Sequence, residues 1–161
     1  MTIAKGDKVP NVDVTLATAD GPQKSNTADI LGKGTVALFA VPGAFTPTCS
    51  ARHLPGFVDK AADLKAKGVD KIVCMSVNDA FVMKAWGQAQ NALGSIEMVA
   101  DGNGDFTRAL GLELDARGFG MGARSKRFAA ILKDGVVKDL FVEAPGAFEV
   151  SSAEYMLSKL N

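Results

Sequence analysis

The order in which strands and helices are predicted along the chain is the strongest constraint on its fold. Three short apolar runs are typical of buried strands, at residues 35–41, 69–77 and 96–100. A helical pattern follows each run, over residues 49–67, 79–93 and 106–110. Pro55 lies within the first of these helices and is expected to kink it. Strands that alternate with helices predict an α/β protein whose sheet is flanked by helices.

Hairpins and a last helix complete this pattern at both ends of the chain. Residues 12–17 lead into the turn Asp20-Gly21-Pro22, which predicts an N-terminal hairpin. Apolar runs on both sides of Lys133-Asp134-Gly135 predict a second hairpin. Ser151-Ser152-Ala153-Glu154 is typical of a capping box before a final helix that ends near Leu160. We therefore expect a mixed central sheet, compatible with a thioredoxin-like fold that carries an N-terminal extension, in a single domain over residues 1–161.

The composition argues against several classes of function. The 18 basic and 18 acidic residues cancel, so the chain lacks the basic field of a nucleic-acid-binding protein. No apolar run approaches the roughly 20 residues that span a bilayer, and the N-terminus has no signal-peptide core. One histidine and two cysteines are too few for a Cys/His zinc site or a disulfide framework. We expect a cytoplasmic protein without membrane, nucleic-acid, metal or cofactor binding.

The segment Pro-Gly-Ala-Phe-Thr-Pro-Thr-Cys at residues 42–49 is the most informative for chemistry. It places Cys49 in the first turn of a helix that follows a buried strand. Unpaired backbone N–H groups and the positive end of the helix dipole favour the thiolate there, which is the nucleophilic form of cysteine. Thr46 is placed to turn its hydroxyl towards the sulfur or towards a substrate oxygen. An inert buried cysteine and an ordinary loop hydroxyl are the alternative, and the spacing alone favours neither.

Several motifs resemble those of the peroxiredoxin family. The pattern Pro42-x-x-x-Thr46-x-x-Cys49 is similar to the active-site signature of peroxiredoxins. The fuller PGAFTPTCS, with Leu54-Pro55-Gly56-Phe57 after it, resembles the type II (peroxiredoxin-five-like) subfamily. Further similar stretches are Val77-Asn78-Asp79, residues 81–86, residues 101–106 and Gly122-x-Arg124-Ser125-x-Arg127-Phe128. The resemblance extends over about residues 42–128.

The resemblance implies a thiol-dependent peroxidase that reduces hydrogen peroxide and alkyl hydroperoxides in antioxidant defence and redox homeostasis. Cys49 would attack the peroxide O–O bond and become a sulfenic acid. Thr46 would hydrogen-bond the peroxide, and Pro42 would shield the thiolate from water. Arg127 would pair with thiolate and peroxide, since a guanidinium keeps its charge at any working pH. Without the resemblance, Arg127 is better interpreted as a surface residue of a basic loop.

Other residues receive roles from the same resemblance. Gly43, Phe45 and the loop around Phe119 would border the peroxide pocket, and the two aromatic residues would also border a homodimer interface. The alternative is that Phe45, Phe81 and Phe119 are core residues. The glycine-rich loop at residues 118–122 is otherwise interpreted as flexible. His53 lies one turn after Cys49, and we interpret it as a partly exposed histidine that orients the loop rather than as a base.

The way in which oxidised Cys49 is reduced depends on the other candidate thiols. Some peroxiredoxins carry a resolving cysteine just before the last helix, and Ser151 occupies that position here. Serine cannot form a disulfide, and its ordinary role at this place is the helix N-cap. Cys74 lies inside a predicted strand, where a buried inert cysteine is the commoner case. We therefore expect a one-cysteine cycle in which an external thiol, glutathione with glutaredoxin or else thioredoxin, attacks oxidised Cys49.

Two other functions remain open at this point. A thioredoxin-like disulfide oxidoreductase needs two thiols at Cys-x-x-Cys spacing, and Thr46 occupies the first of those positions. A non-catalytic binding or holdase module would keep the fold, and its Cys49 would react slowly with peroxide.

Overall fold

The computed structural model describes residues 2–160, which contain nine strands and six α-helices. The strands are β1 (Asp13–Thr18), β2 (Gly21–Asn26), β3 (Thr35–Val41), β4 (Lys71–Ser76), β5 (Glu97–Ala100), β6 (Glu113–Asp115), β7 (Ala123–Ser125), β8 (Phe128–Lys133) and β9 (Val136–Val142). The α-helices are α1 (Thr27–Leu31), α2 (Leu54–Asp59), α3 (Ala61–Ala66), α4 (Ala80–Ala89), α5 (Asp105–Leu110) and α6 (Ala153–Lys159). A π-helical turn covers Cys49–His53, and a 3₁₀ turn covers Arg117–Phe119. Within residues 2–160 no helix has the length and apolar character needed to cross a membrane.

Seven strands form the central sheet, in the order β2-β1-β5-β4-β3-β8-β9. The pairs β3–β4 and β4–β5 are parallel, and the other pairs are antiparallel. Nearly every residue of β3 and β4 is buried, which explains why both read as continuous apolar runs. The predicted thioredoxin-like α/β fold, with its mixed sheet and N-terminal hairpin, is confirmed.

Two apolar clusters pack on the opposite faces of the sheet. Side chains alternate between faces along a strand, so Phe39 of β3 enters one cluster and Leu38 enters the other. The cluster around Phe39 also contains both cysteines, Cys49 and Cys74. The first cysteine therefore lies at the buried junction between the sheet and the helical layer.

The helix predicted over residues 49–67 is divided, and a π-helical turn lies directly before Pro55, the residue at which a kink was predicted. The π-helical turn Cys49–His53 is followed by α2 and α3, which separate at Lys60, where φ is −99° and ψ is 7°. Pro55 lies in the first turn of α2. Proline has no N–H to donate to a carbonyl of the preceding turn, and the helical geometry of that turn is irregular. The segment therefore departs from α-helical geometry at two places, in the turn Cys49–His53 before the proline and at Lys60 after it.

One further prediction, the N-cap of the last helix, needs correction. The N-cap of α6 is Ser152, whose hydroxyl accepts a hydrogen bond from the N–H of Tyr155, and Ser151 has a different role that is described below. The glycine-rich stretch that was interpreted as a flexible loop forms the turn of a hairpin between β6 and β7. The N–H of Ala116 donates to the carbonyl of Gly122 at 2.7 Å. The turn needs glycine because φ at Gly122 is +69°.

Candidate active site

Cys49 begins the π-helical turn that follows β3 and the loop at residues 42–48. Its side chain is fully buried, and its carbonyl accepts the N–H of Leu54, five residues on. The N–H of Ser50 donates to the carbonyl of Thr46 at 2.9 Å, which fixes the loop against the start of the turn. Single π-helical turns within helices are frequent at functional sites. The chain thus places one buried sulfur at the first turn of a helical segment.

Arg127 lies directly against this sulfur. Its Nη2 donates a hydrogen bond to Cys49 Sγ at 3.2 Å, across 78 residues of sequence. The register of the sheet explains the approach, because Ala40 near the end of β3 pairs with Phe128, the residue after Arg127. A guanidinium in hydrogen-bond contact favours the negatively charged form of the sulfur. The structure therefore brings Arg127 and Cys49 together.

The same arginine also binds His53, which is fully buried rather than partly exposed as predicted. Arg127 Nη1 lies 2.9 Å from His53 Nδ1, and His53 Nε2 lies 2.9 Å from the carbonyl oxygen of Ser151. A guanidinium only donates and a carbonyl only accepts, so the ring is neutral with its proton on Nε2. His53 is four residues after Cys49 and shares its buried helical face, which explains the burial.

The surroundings of His53 oppose its protonation. Burial, and then the charge of Arg127, lower its pKa from 6.5 to about 3, while the hydrogen bond to the carbonyl of Ser151 acts in the opposite direction. Because Nδ1 already accepts from Arg127, the ring has no free nitrogen to take a proton from Cys49. His53 therefore fits a role in holding Arg127 rather than a role as a base.

This lowered pKa predicts how stability depends on pH. Between about pH 6.5 and pH 3 the unfolded chain binds a proton on His53 that the native protein does not, so native stability falls as pH decreases. The expected slope is about 1.4 kcal/mol of unfolding free energy per pH unit. Urea unfolding between about pH 6.5 and pH 5, above the range of most carboxylates, measures it. His53→Gln should lose this slope, and an unchanged slope in the variant would contradict the assignment.

The hydroxyl of Thr46 is oriented by the loop itself. Thr46 Oγ1 donates to the carbonyl of Gly43 at 2.6 Å, so its hydrogen is committed and its oxygen lone pairs are left to accept. A hydrogen peroxide molecule both donates and accepts hydrogen bonds. The hydroxyl oxygen therefore suits a peroxide O–H, whereas the donors of Arg127 suit a peroxide oxygen.

A second arginine, which the sequence motif contained without a role, lies against Pro42 and Gly43. Arg124 Nε donates to the carbonyl of Met121 at 2.9 Å, and its Nη1 lies 3.5 Å from the carbonyl of Pro42. A Cβ at Gly43 would lie 3.0 to 3.1 Å from side-chain atoms of Met121, Arg124 and Thr46. A side chain at position 43 would therefore have to displace these three side chains by a few tenths of an ångström.

The three aromatic residues for which a core role was considered are exposed. Phe45, Phe81 and Phe119 expose 55%, 71% and 86% of their surfaces, so the core interpretation is wrong. Phe45 has φ of 63°, an unusual value for a bulky residue, and it directly precedes Thr46. Phe119 lies in the β6–β7 turn, and Arg124 of β7 approaches the loop at the carbonyl of Pro42.

Cys74 lies in β4, where it pairs with Phe39 and is fully buried. Burial chiefly, with a smaller effect of nearby Cys49, raises the pKa of its thiol well above the ordinary value. A protonated buried thiol is a poor nucleophile.

Within residues 2–160 no group of three or more His, Cys, Asp or Glu side chains is placed to hold a metal ion.

Comparison with known proteins places this geometry in context. The family model described as Redoxin matches residues 4–157. Peroxiredoxin-2B of Arabidopsis thaliana is 52% identical, over 98% of each chain. Chloroplastic Peroxiredoxin-2E-2 of Oryza sativa subsp. japonica is 54% identical, over 99% of this chain and 73% of the relative. The crystal structure of reduced Prx3 from Vibrio vulnificus in complex with H2O2 superposes with a TM-score of 0.94 at 54% identity, covering 99% of this chain and 100% of that one.

Proposed function

This chain belongs to the redoxin family as a peroxiredoxin, and we propose that the sulfur of Cys49 is the group that attacks its peroxide substrate. The protein is a thiol-dependent peroxidase with an antioxidant function. This membership favours a peroxidase over the disulfide oxidoreductase and the holdase considered from sequence. The observation that carries the assignment to Cys49 is the 3.2 Å hydrogen bond from Arg127 Nη2 to its sulfur.

In the proposed reaction the thiolate attacks the nearer peroxide oxygen. A bond forms between sulfur and that oxygen, the O–O bond breaks, and its electron pair leaves with the farther oxygen, which takes a proton to become water or an alcohol. Sulfur is oxidised to the sulfenic acid and the peroxide is reduced. Arg127 stabilises the charge that moves from sulfur to oxygen, because its N–H groups are in place before the reaction. Thr46 accepts the substrate O–H, and Pro42 limits access of water to the sulfur.

The proposed substrates of the enzyme are small peroxides. We assign hydrogen peroxide and alkyl hydroperoxides as substrates, with Gly43, Phe45 and Phe119 bordering the entrance. Glycine at position 43 keeps the loop close to the β6–β7 turn, and Phe45 and Phe119 both present exposed apolar surface. An apolar rim suits an alkyl group carried by the peroxide.

Reduction of the sulfenic acid is proposed to use an external thiol in a one-cysteine cycle. Cys74 is buried within β4 and its pKa is raised, and Ser151 occupies the other position at which a resolving thiol is expected. Glutathione would condense with the sulfenic acid to give a mixed disulfide and water. A second thiol, from glutaredoxin or another glutathione, would then release Cys49. Thioredoxin acting directly is the alternative reductant.

The mass of the protein after one equivalent of hydrogen peroxide tests this cycle. We expect one added oxygen atom without glutathione and one added glutathione in its presence, both located on Cys49 by peptide mapping. The Cys74→Ser variant should give the same two products. A product lighter by two hydrogen atoms, with a disulfide between Cys49 and Cys74, would contradict the one-cysteine cycle.

We further propose that the protein is a homodimer. Phe45, Phe81 and Phe119 are its exposed large apolar side chains within the described residues, and aromatic residues are enriched in protein interfaces. Sedimentation equilibrium at micromolar concentration tests this proposal, and a monomer would refute it.

The proposed compartment is the cytoplasm. Both Cys49 and Cys74 are free thiols, which fits a reducing environment. Cell fractionation followed by immunodetection provides the test, and recovery in an organelle or an exported fraction would refute this assignment.

A further inference from the structure

A buried carboxylate outside the site described above organises the segment between β9 and α6. Glu143 exposes only 7% of its surface. One of its oxygens, Oε2, accepts three hydrogen bonds, from the N–H of Glu149 at 2.7 Å and from the N–H and hydroxyl of Ser151 at 2.8 and 2.7 Å. A carboxylate with several donors is a strong anchor for a connecting segment. Ser151 is thereby held in one position, fully buried.

A continuous chain of hydrogen bonds leads from this anchor to the reactive sulfur. The carbonyl of Ser151 accepts from His53 Nε2 at 2.9 Å. His53 Nδ1 accepts from Arg127 Nη1 at 2.9 Å, and Arg127 Nη2 donates to Cys49 Sγ at 3.2 Å. Each of these hydrogen bonds joins one N–H donor to one acceptor atom.

We propose that Glu143 is a positioning residue for the peroxidase reaction, which it serves by holding the Ser151 carbonyl where it orients His53 and, through it, Arg127. This inference rests on the proposed role of Cys49. The reason lies in the histidine proton. The Ser151 carbonyl keeps that proton on Nε2 and leaves Nδ1 free to accept from the guanidinium. If the carbonyl moved away and the proton shifted to Nδ1, two N–H donors would face each other and the arginine would lose its support.

The same anchored segment supports the arginine a second time, through Phe148. Its ring packs edge-on against His53, with centroids 5.0 Å apart. The guanidinium carbon of Arg127 lies 5.8 Å from the centre of this ring, and that of Arg52 lies 4.6 Å from it. Glu143 holds the backbone on both sides of Phe148 through Glu149 and Ser151. Loosening the segment would therefore disturb the hydrogen bond and the aromatic contact together.

The chemistry of Glu143 provides matched variants. Because all three donors converge on one oxygen, the amide oxygen of Glu143→Gln is able to accept them, whereas Glu143→Ala offers no acceptor. Glu143→Asp keeps the charge but shortens the reach by one methylene. Glu149→Ala removes an exposed carboxylate from the same segment, and leaves the Glu149 N–H that donates to Glu143 in place.

Stopped-flow oxidation by hydrogen peroxide gives the first readout, followed by the fluorescence of Trp86. This single tryptophan donates to the hydroxyl of Ser50, the neighbour of Cys49. We expect Glu143→Ala to slow the reaction about five- to tenfold, the rate equivalent of one lost hydrogen bond. Glu143→Gln should restore most of the rate, and Glu149→Ala should match wild type. Should Glu143→Ala fail to fold, Glu143→Asp takes its place, with a smaller loss expected.

Two further measurements separate positioning from mere stability of the segment. The rate at which iodoacetamide alkylates Cys49 at neutral pH should fall in Glu143→Ala, because the arginine is held less firmly beside the sulfur. In a His53→Ala background, the change at Glu143 should have no further effect on the rate of oxidation. A lower melting temperature with wild-type alkylation and oxidation would overturn the proposal, and so would a full additional loss in the His53→Ala background. If instead the wild-type protein itself failed to react at Cys49, the proposed function would fall and not only the role of Glu143.

Discussion

Replacing Cys49 by serine is expected to lower peroxide turnover by at least about a thousandfold. A serine hydroxyl is not ionised at neutral pH, so the variant has no nucleophile beside Arg127 even though its shape is nearly unchanged. Consumption of hydrogen peroxide with glutathione and glutaredoxin, or with thioredoxin, measures the effect.

The Cys74→Ser variant is the matched control for this prediction. It removes the other thiol of the chain from β4, away from the contacts that Arg127 makes, and should keep most of the activity. Equal loss in both variants would show that Cys74 resolves the oxidised enzyme. Retained turnover in Cys49→Ser would instead refute the assignment of the nucleophile.

Replacing Arg127 by lysine is expected to slow the reaction of the reduced protein with hydrogen peroxide by about a hundred- to a thousandfold. The guanidinium uses two separate nitrogens, one on Cys49 Sγ at 3.2 Å and one on His53 Nδ1 at 2.9 Å. A lysine ammonium is a single point of charge and cannot reproduce this geometry, although it keeps the charge. Single-turnover stopped-flow kinetics measure the loss.

Lys126→Ala is the control for this substitution. Lys126 is exposed and adjacent in sequence, so its removal measures how much the rate depends on a neighbouring positive charge that does not contact the sulfur. A screened surface charge of this kind should alter the rate by no more than about twofold. Wild-type kinetics in Arg127→Lys would show that charge alone suffices and that the paired hydrogen bonds do not matter.

Most of the fold follows from local sequence signals. The apolar run of β3 and the Lys133-Asp134-Gly135 turn are local features, and the structure has both the strand and the hairpin. The π-helical form of the turn Cys49–His53 was not predicted, because a π-helical turn has no distinctive residue pattern. The shift of the α6 cap to Ser152 was missed for another reason, since Ser151 is drawn into a hydrogen bond with Glu143.

The site was predictable only in part. The order of residues in the segment 42–49 predicted Cys49 and Thr46 as site residues. The resemblance to peroxiredoxins added Arg127. The contacts of His53 depend on partners 74 and 98 residues away, which are brought near by sheet register and by the last connecting segment. Its spacing of four residues from Cys49 was the available signal for burial on the same face. Nothing local marks Glu143, because a lone glutamate after a strand is usually exposed.

The central claim is that the Cys49 sulfur, held beside Arg127, is the group that attacks the peroxide. The most direct measurement is the second-order rate constant for hydrogen peroxide with the reduced wild-type protein at about pH 7, compared with that of free cysteine. A sulfur assisted by preorganised donors predicts a rate constant at least about a hundredfold larger than that of free cysteine. A rate constant equal to that of free cysteine would contradict the account.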